Sequence, residues 1–193
     1  MSAAPGGASE EATRLDAAAG VLSAGGIVAL PTEGVWGLSC DPASEAAVRR
    51  LLALKQRGVE KGLILVGHEP DCFAAQLGAL EPAARADVLK SWPGPHTWLL
   101  PGAGAPGWIR GDSEWVAARV SEHPLLAGLC RRWGGALVST SANLAGSAPA
   151  ADAAAVRETF GDAVGCILDG ALGGLGGPSA IRNAATGEWV RRP

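Results

Sequence analysis

The sequence predicts an α/β fold: a single domain with a twisted, mixed parallel and antiparallel sheet flanked by helices. Three observations predict it. Apolar runs of strand length recur along the chain, with segments of helical spacing between most of them. The alternation is incomplete: two pairs of strand candidates have no helix between them, whereas a purely parallel sheet needs a crossover each time. Hydrophobic residues fill 48% of the 193 positions, enough for one core, and no repeat or linker divides the chain.

Residues 1–9, rich in Ala, Gly and Pro, read as a flexible N-terminal arm, leaving residues 10–193 as the domain. From Glu10 to Ser23, the positions of Leu15, Ala18, Ala19 and Leu22 trace a helical stripe. Gly25 and Gly26 stop that helix, Ile27 to Leu30 form a buried strand, and Pro31 to Gly37 form a loop. Ser44 is a good N-cap for a helix running to about Lys55. Further strands are expected at Leu63 to Val66, Thr97 to Leu100, Trp115 to Val120, Ala136 to Ser139, Cys166 to Leu168 and Glu188 to Arg191. Helices are expected at Pro70 to Leu77, Glu81 to Lys90, Pro124 to Trp133 and Asp152 to Phe160.

Composition then excludes several classes. The apolar share is too high for a disordered chain, and the glycines have no three-residue period, so collagen is out. No apolar run approaches the ~18 residues of a membrane helix. Met1 to Glu11 holds no Lys or Arg and no apolar stretch, so no secretory leader is expected and the domain reads as cytoplasmic. A net charge of −3 argues against nucleic acid as an obligatory partner. Cys40, Cys72, Cys130 and Cys166 are too dispersed for a metal knuckle or a redox pair and read as reduced thiols.

Two segments carry chemistry. In the first, Lys55 continues the inward stripe of Val48, Leu51 and Leu52, so it must either reach the surface at the helix end or meet an anion. Arg57 and Lys61 follow in the same loop, just before a buried strand. Three cations there form a phosphate site, arginine supplying a planar fork and lysine a point charge; a solvated basic loop is the plainer alternative. In the second, Ala136-Leu137-Val138 runs into Ser139-Thr140-Ser141-Ala142-Asn143. Hydroxyl and amide donors thus cluster at a strand end, where α/β sheets bind ligands, although an ordinary serine-rich turn would look similar.

The remaining signals are weaker. Arg119 stands alone in an apolar strand and needs an anion, either of the protein or of a ligand. Leu172 to Ser179 is glycine-rich and must be a loop, near a ligand or merely flexible. No Walker, dinucleotide or serine-hydrolase signature occurs, and His68, His96 and His123 read as surface or packing residues.

In order, these segments resemble the threonylcarbamoyl-AMP synthase family of YrdC-like proteins. The resemblance rests on Pro31-Thr32-Glu33-Gly34-Val35-Trp36-Gly37-Leu38, Lys55-Gln56-Arg57 with Lys61-Gly62-Leu63, and Trp92-Pro93-Gly94-Pro95-His96-Thr97. It continues through Ala118-Arg119-Val120, Ser139-Thr140-Ser141-Ala142-Asn143 and Pro178-Ser179. The length is similar to the short bacterial TsaC type, which lacks an appended C-terminal domain.

The resemblance implies an ATP-dependent nucleotidyltransferase that makes L-threonylcarbamoyladenylate and pyrophosphate from L-threonine, bicarbonate and ATP. A tRNA-modifying threonylcarbamoyl transferase complex would then use the adenylate on tRNAs reading ANN codons. Magnesium would ride on the phosphates, and no tightly bound organic cofactor is implied. By this resemblance Lys55 and Arg57 are catalytic, and Lys55, Arg57, Lys61, Ser139, Ser141, Asn143 and Arg191 bind the nucleotide. Thr32, Arg119 and Ser179 bind threonine. Departures from the family pattern are Trp36, Gly58, Trp115, Gly177 and Asn183, none of which removes a charge from the implied centre.

Two rival readings remain at this point. A double-stranded RNA or tRNA-binding module would need no ATP, and weak RNA binding could also accompany the enzyme. A carbamoyltransferase domain of the hydrogenase-maturation kind would use carbamoyl phosphate, but it belongs to much longer chains with zinc-finger parts.

Overall fold

The structure is a computed structural model and describes residues 5–192. Helix α1 spans Pro5–Ser23 and is followed by the hairpin β1 (Val28–Pro31) and β2 (Trp36–Ser39). Helix α2 is Glu45–Leu54; strand β3, Ile64–Gly67; helices α3 and α4, Ala74–Gly78 and Pro82–Ser91; and strand β4, His96–Pro101. A single turn α5 (Gly107–Arg110) leads to β5 (Trp115–Val120), α6 (Pro124–Trp133) and β6 (Leu137–Ser141). Helix α7 (Ala153–Phe160) and strands β7 (Cys166–Ile167), β8 (Ala180–Asn183) and β9 (Trp189–Arg191) complete the described chain.

The strands form one sheet in the order β7-β1-β2-β6-β3-β5-β4-β8-β9. Parallel pairs (β1 with β7, β3 with β5, β4 with β8) mix with antiparallel ones, as the incomplete alternation predicts. The sheet is buried from both sides. Along β1 and the residue before it, Ile27 and Ala29 pack into one apolar cluster while Val28 and Leu30 pack into the other, with Leu22 of α1 and Leu126 and Leu129 of α6. That two-sided burial explains why β1 reads as a continuous apolar run.

Local chemistry sets the helix ends. Ser44 Oγ accepts from the Ala47 amide at 3.3 Å at the start of α2. Asp152 does the same for α7 through the Ala155 amide at 2.8 Å. Helix α6 begins with Pro124 at its first position and stops at Gly134, whose φ of 85° suits glycine.

Some elements differ from expectation. Helix α1 starts at Pro5 rather than Glu10, so part of the expected arm is helical; proline fits a first helical turn because its missing N–H would have no partner there. The expected arm's residues 1–4 lie outside the described residues. Strand β2 occupies the end of the expected Pro31–Gly37 loop and the residues beyond it, and β8 follows directly on the glycine-rich segment. Both strands are defined by their partners, β2 by β1 and β6, and β8 by β4 and β9.

Candidate active site

A cleft of about 390 Å³ opens on one face of the sheet. Trp115, Ala117 and Arg119 line it from β5, since alternate strand residues share a face. Ser139, Ile64, Ala117 and Leu99 are successive cross-strand neighbours on β6, β3, β5 and β4, and all four line the floor. The β1–β2 turn, the loop before β3, the glycine-rich segment and β9 form its walls. The site therefore lies across a sheet face, rather than only at the strand ends that the serine cluster suggests.

Five cations line the cleft, Arg57, Lys61, Arg110, Arg119 and Arg191, and no Asp or Glu is among its described lining residues. Arg110 is occupied by the protein, donating to the carbonyls of Ala105 at 2.9 Å and Ser113 at 2.5 Å. Arg57 donates one Nη to the Gly62 carbonyl at 3.0 Å, and its Nε is buried without a partner. Arg191 Nε donates to the Ser179 carbonyl at 2.7 Å. Burial first, and the charge of Arg119 second, hold Arg191 below the usual arginine range. Like charges held this close in a recess make a site for a polyanion.

Arg119 is ion-paired within the protein. Its Nη1 donates to Glu33 Oε2 at 2.5 Å, and both residues are 5% exposed. The other Glu33 oxygen accepts from Ser121 Oγ at 2.7 Å and from the Glu122 amide at 3.2 Å. Burial alone would raise the Glu33 carboxyl, but the Arg119 charge and these hydrogen bonds outweigh it and hold the carboxyl below its ordinary value. Arg119 also lines the cleft, and Glu33 is its anion within the protein.

Thr32 and Ser179 reach the same wall. Thr32 Oγ1 donates to the Val35 carbonyl at 2.7 Å, closing the β1–β2 turn. Ser179 Oγ shares a 2.7 Å hydrogen bond with Thr97 Oγ1. The glycine-rich segment is strapped onto that turn, with the Gly173 amide on the Thr32 carbonyl and the Leu175 amide on the Glu33 carbonyl. A Cβ on Gly34 would lie 1.7 Å from the Gly177 carbonyl oxygen, so a side chain there would push the two backbones apart.

Lys55 and Asn143 are placed differently. Lys55 is 3% exposed and does not line the cleft. Its Nζ donates to the main-chain carbonyls of Ser141 and Asn143, the latter at 2.8 Å, and to Asn143 Oδ1 at 3.2 Å. Burial, and then the charge of Arg57, push its pKa down to about 8. Asn143 Oδ1 also accepts from Ser141 Oγ at 2.5 Å, and its amide donates to the carbonyls of Leu144 and Ser147. These two residues brace the turn after β6 from behind. Gln56 separates Lys55 from Arg57 with φ at 51°, a left-handed conformation uncommon for a residue with a side chain. That reversal sends Lys55 inward and Arg57 into the cleft.

The structure thus brings together Thr32, Arg57, Lys61, Arg119, Ser139, Ser141, Ser179 and Arg191 around one cleft, and leaves Lys55 and Asn143 behind it. Sequence reasoning missed Glu33, Ser121 and Arg110. The lone arginine in an apolar strand was the available signal for an acidic partner, but nothing in the chain order says which acid. Among the described residues no group of three His, Cys, Asp or Glu side chains is placed to hold a metal ion.

A polycationic cleft over a mixed sheet marks an α/β protein built to take an anionic ligand. Within that class the comparisons are specific. A family model for Sua5, YciO and YrdC proteins, described as telomere recombination, matches residues 20–192, and the chain belongs to this family. A threonylcarbamoyl-AMP synthase of Xanthomonas euvesicatoria pv. vesicatoria is 51% identical over 180 residues, covering 92% of this chain and 96% of that protein. One of Chromohalobacter salexigens is 50% identical over 184 residues, covering 95% and 99%. The solved structure of P. abyssi Sua5 complexed with L-threonine superposes with a TM-score of 0.81 at 29% identity, covering 90% of this chain. The chain spans 51% of that longer one.

Proposed function

We propose that the chain forms L-threonylcarbamoyladenylate and pyrophosphate from L-threonine, bicarbonate and ATP. The observation that carries this reading is the cleft itself: cations converge on a recess lined, among the described residues, by no Asp or Glu, and one of them, Arg119, is paired with a buried acid. In the reaction the threonine amine attacks the bicarbonate carbon. The N–C bond forms as a C–O bond breaks, the amine's proton goes to the departing hydroxide, and water and a carbamate result. A carbamate oxygen then attacks the α-phosphorus of ATP, and pyrophosphate leaves with the bonding electrons. Both reactants are anions, so their repulsion must be offset before bond formation. Cations fixed in a water-poor recess do this and also stabilise the charge growing on the leaving group.

In this reading Arg57, Lys61 and Arg191 hold the phosphates, with Ser139 and Ser141 donating to adenylate oxygens. Arg119 takes the threonine carboxylate beside Thr32 and Ser179. Lys55 and Asn143 support the turn that carries Ser141. Magnesium would enter with ATP as part of the substrate. Transfer to tRNA by a partner complex, weak tRNA contact and a cytoplasmic location belong to the same proposal; no helix among the described residues is long and apolar enough to cross a membrane.

The RNA-module reading is not favoured, because the cations gather inside a recess of small-molecule size and the net charge is −3. Incubation with ATP, magnesium, bicarbonate and threonine, followed by mass spectrometry, tests the proposal. The adenylate should form only when all components are present. Its absence with all of them present, or its formation from carbamoyl phosphate instead, would overturn it.

A further inference from the structure

We infer that Glu33 is a positioning residue for amino-acid recognition: its carboxylate fixes the Arg119 guanidinium so that the unused N–H groups face the cleft. The inference rests on the reading of the cleft given above. Glu33 lies in the β1–β2 turn and Arg119 on β5, two elements that are not neighbours in the sheet. Their contact is therefore a side-chain device and not a by-product of strand pairing.

Glu33 is itself held from three sides. Arg119 engages one carboxylate oxygen, Ser121 Oγ and the Glu122 amide engage the other, and the Glu33 carbonyl takes the Leu175 amide. A carboxylate so anchored has little rotamer freedom to lose when it orients its partner. Arginine offers five N–H donors in a rigid fork, so one edge can rest on Glu33 while another meets a ligand carboxylate. Glu33 is not among the residues that line the cleft, and its charge is paired with the Arg119 guanidinium.

A positioning role differs from a purely structural one in which kinetic constant moves. Glu33→Gln keeps the size but removes the charge and puts an amide N–H against either Arg119 or the Glu122 N–H, so the guanidinium is held either by a neutral acceptor or not at all. The expected result is a roughly tenfold rise in the KM for threonine, with the KM for ATP within about twofold and kcat within about threefold. Glu33→Asp keeps the charge but shortens the reach, and it should recover part of the loss. Ser121→Ala removes one anchor of Glu33 without touching Arg119 and should raise the threonine KM by about two- to threefold.

Arg119→Lys is the reference, because it removes the fork directly. If Arg119→Lys raises the threonine KM while Glu33→Gln and Ser121→Ala leave it unchanged, Glu33 has no positioning role and the inference fails alone. If Glu33→Gln fails to fold, the Ser121→Ala measurement decides by the same criterion. If the wild-type protein makes no adenylate from threonine, the functional reading fails and the inference with it.

Discussion

Lys55 and Arg57 are two residues apart in one loop, yet one is sealed behind the cleft and the other opens into it. Lys55 meets three carbonyl acceptors, one at the end of β6 and two on Asn143 in the turn that follows, and its donors are taken up by the protein. Arg57 has one such partner and an unpartnered Nε. The left-handed Gln56 between them makes the division. What decides whether a cation can serve a ligand is therefore not its place in a basic cluster, but how far the fold has already saturated its donors.

Substitutions can break this comparison. The largest effect is expected from Arg57→Ala: adenylate formation should fall roughly 10²-fold, equivalent to about 2.7 kcal/mol of transition-state stabilisation, with the melting temperature shifted by less than about 2 °C. Lys55→Met should do the reverse, costing about 2–3 kcal/mol in a denaturant titration because buried carbonyls lose their donor. A stable Lys55→Met protein with an Arg57-like loss of turnover would return Lys55 to the chemistry.

Asn143→Ala sharpens the contrast at a smaller scale. Its side chain is bonded within the turn, so it should lose about 1–2 kcal/mol of stability, while ATP affinity changes by less than about threefold. Calorimetric titration with ATP beside a thermal melt separates the two effects, and a selective loss of nucleotide binding would restore the ligand role that the sequence implied.

The smallest expected effect is on pH dependence. The folded-state pKa of Lys55 is pushed down to about 8 from an ordinary 10.5. Between these values the unfolded chain binds more protons than the folded one, so stability should rise as pH climbs through that window. The slope for this single proton is at most about 1.4 kcal/mol per pH unit inside that window. Lys55→Met should lack it in denaturation curves recorded across the window, whereas Arg57→Ala should keep the larger part set by burial and lose the part due to the Arg57 charge.

Much of the fold was legible. Strand β5 and helix α6 fall where the sequence reading puts them, β5 because Trp115, Val116 and Val120 are β-prone residues in a run broken only by Arg119, α6 because Pro124 and Gly134 punctuate an amphipathic stretch. Strand β2 was not legible, since Trp36-Gly37-Leu38-Ser39 is a strand only by virtue of β1 and β6 on either side. Strand β8 was hidden for a similar reason, coming straight after a run of glycines. At the site, residue types and order pointed to the cleft's cations and hydroxyls. Which cation the protein itself saturates depends on contacts between residues far apart in sequence, such as Lys55 with Asn143 and Arg119 with Glu33, and no local pattern encodes them.

One measurement bears most directly on the account: the initial rate of threonylcarbamoyladenylate formation for wild type, Arg57→Ala and Lys55→Met, each normalised to its folded fraction. The account predicts that Lys55→Met stays within about fivefold of wild type per folded molecule, while Arg57→Ala falls by roughly 10²-fold. Equal losses in the two variants, or a larger loss in Lys55→Met, would contradict it.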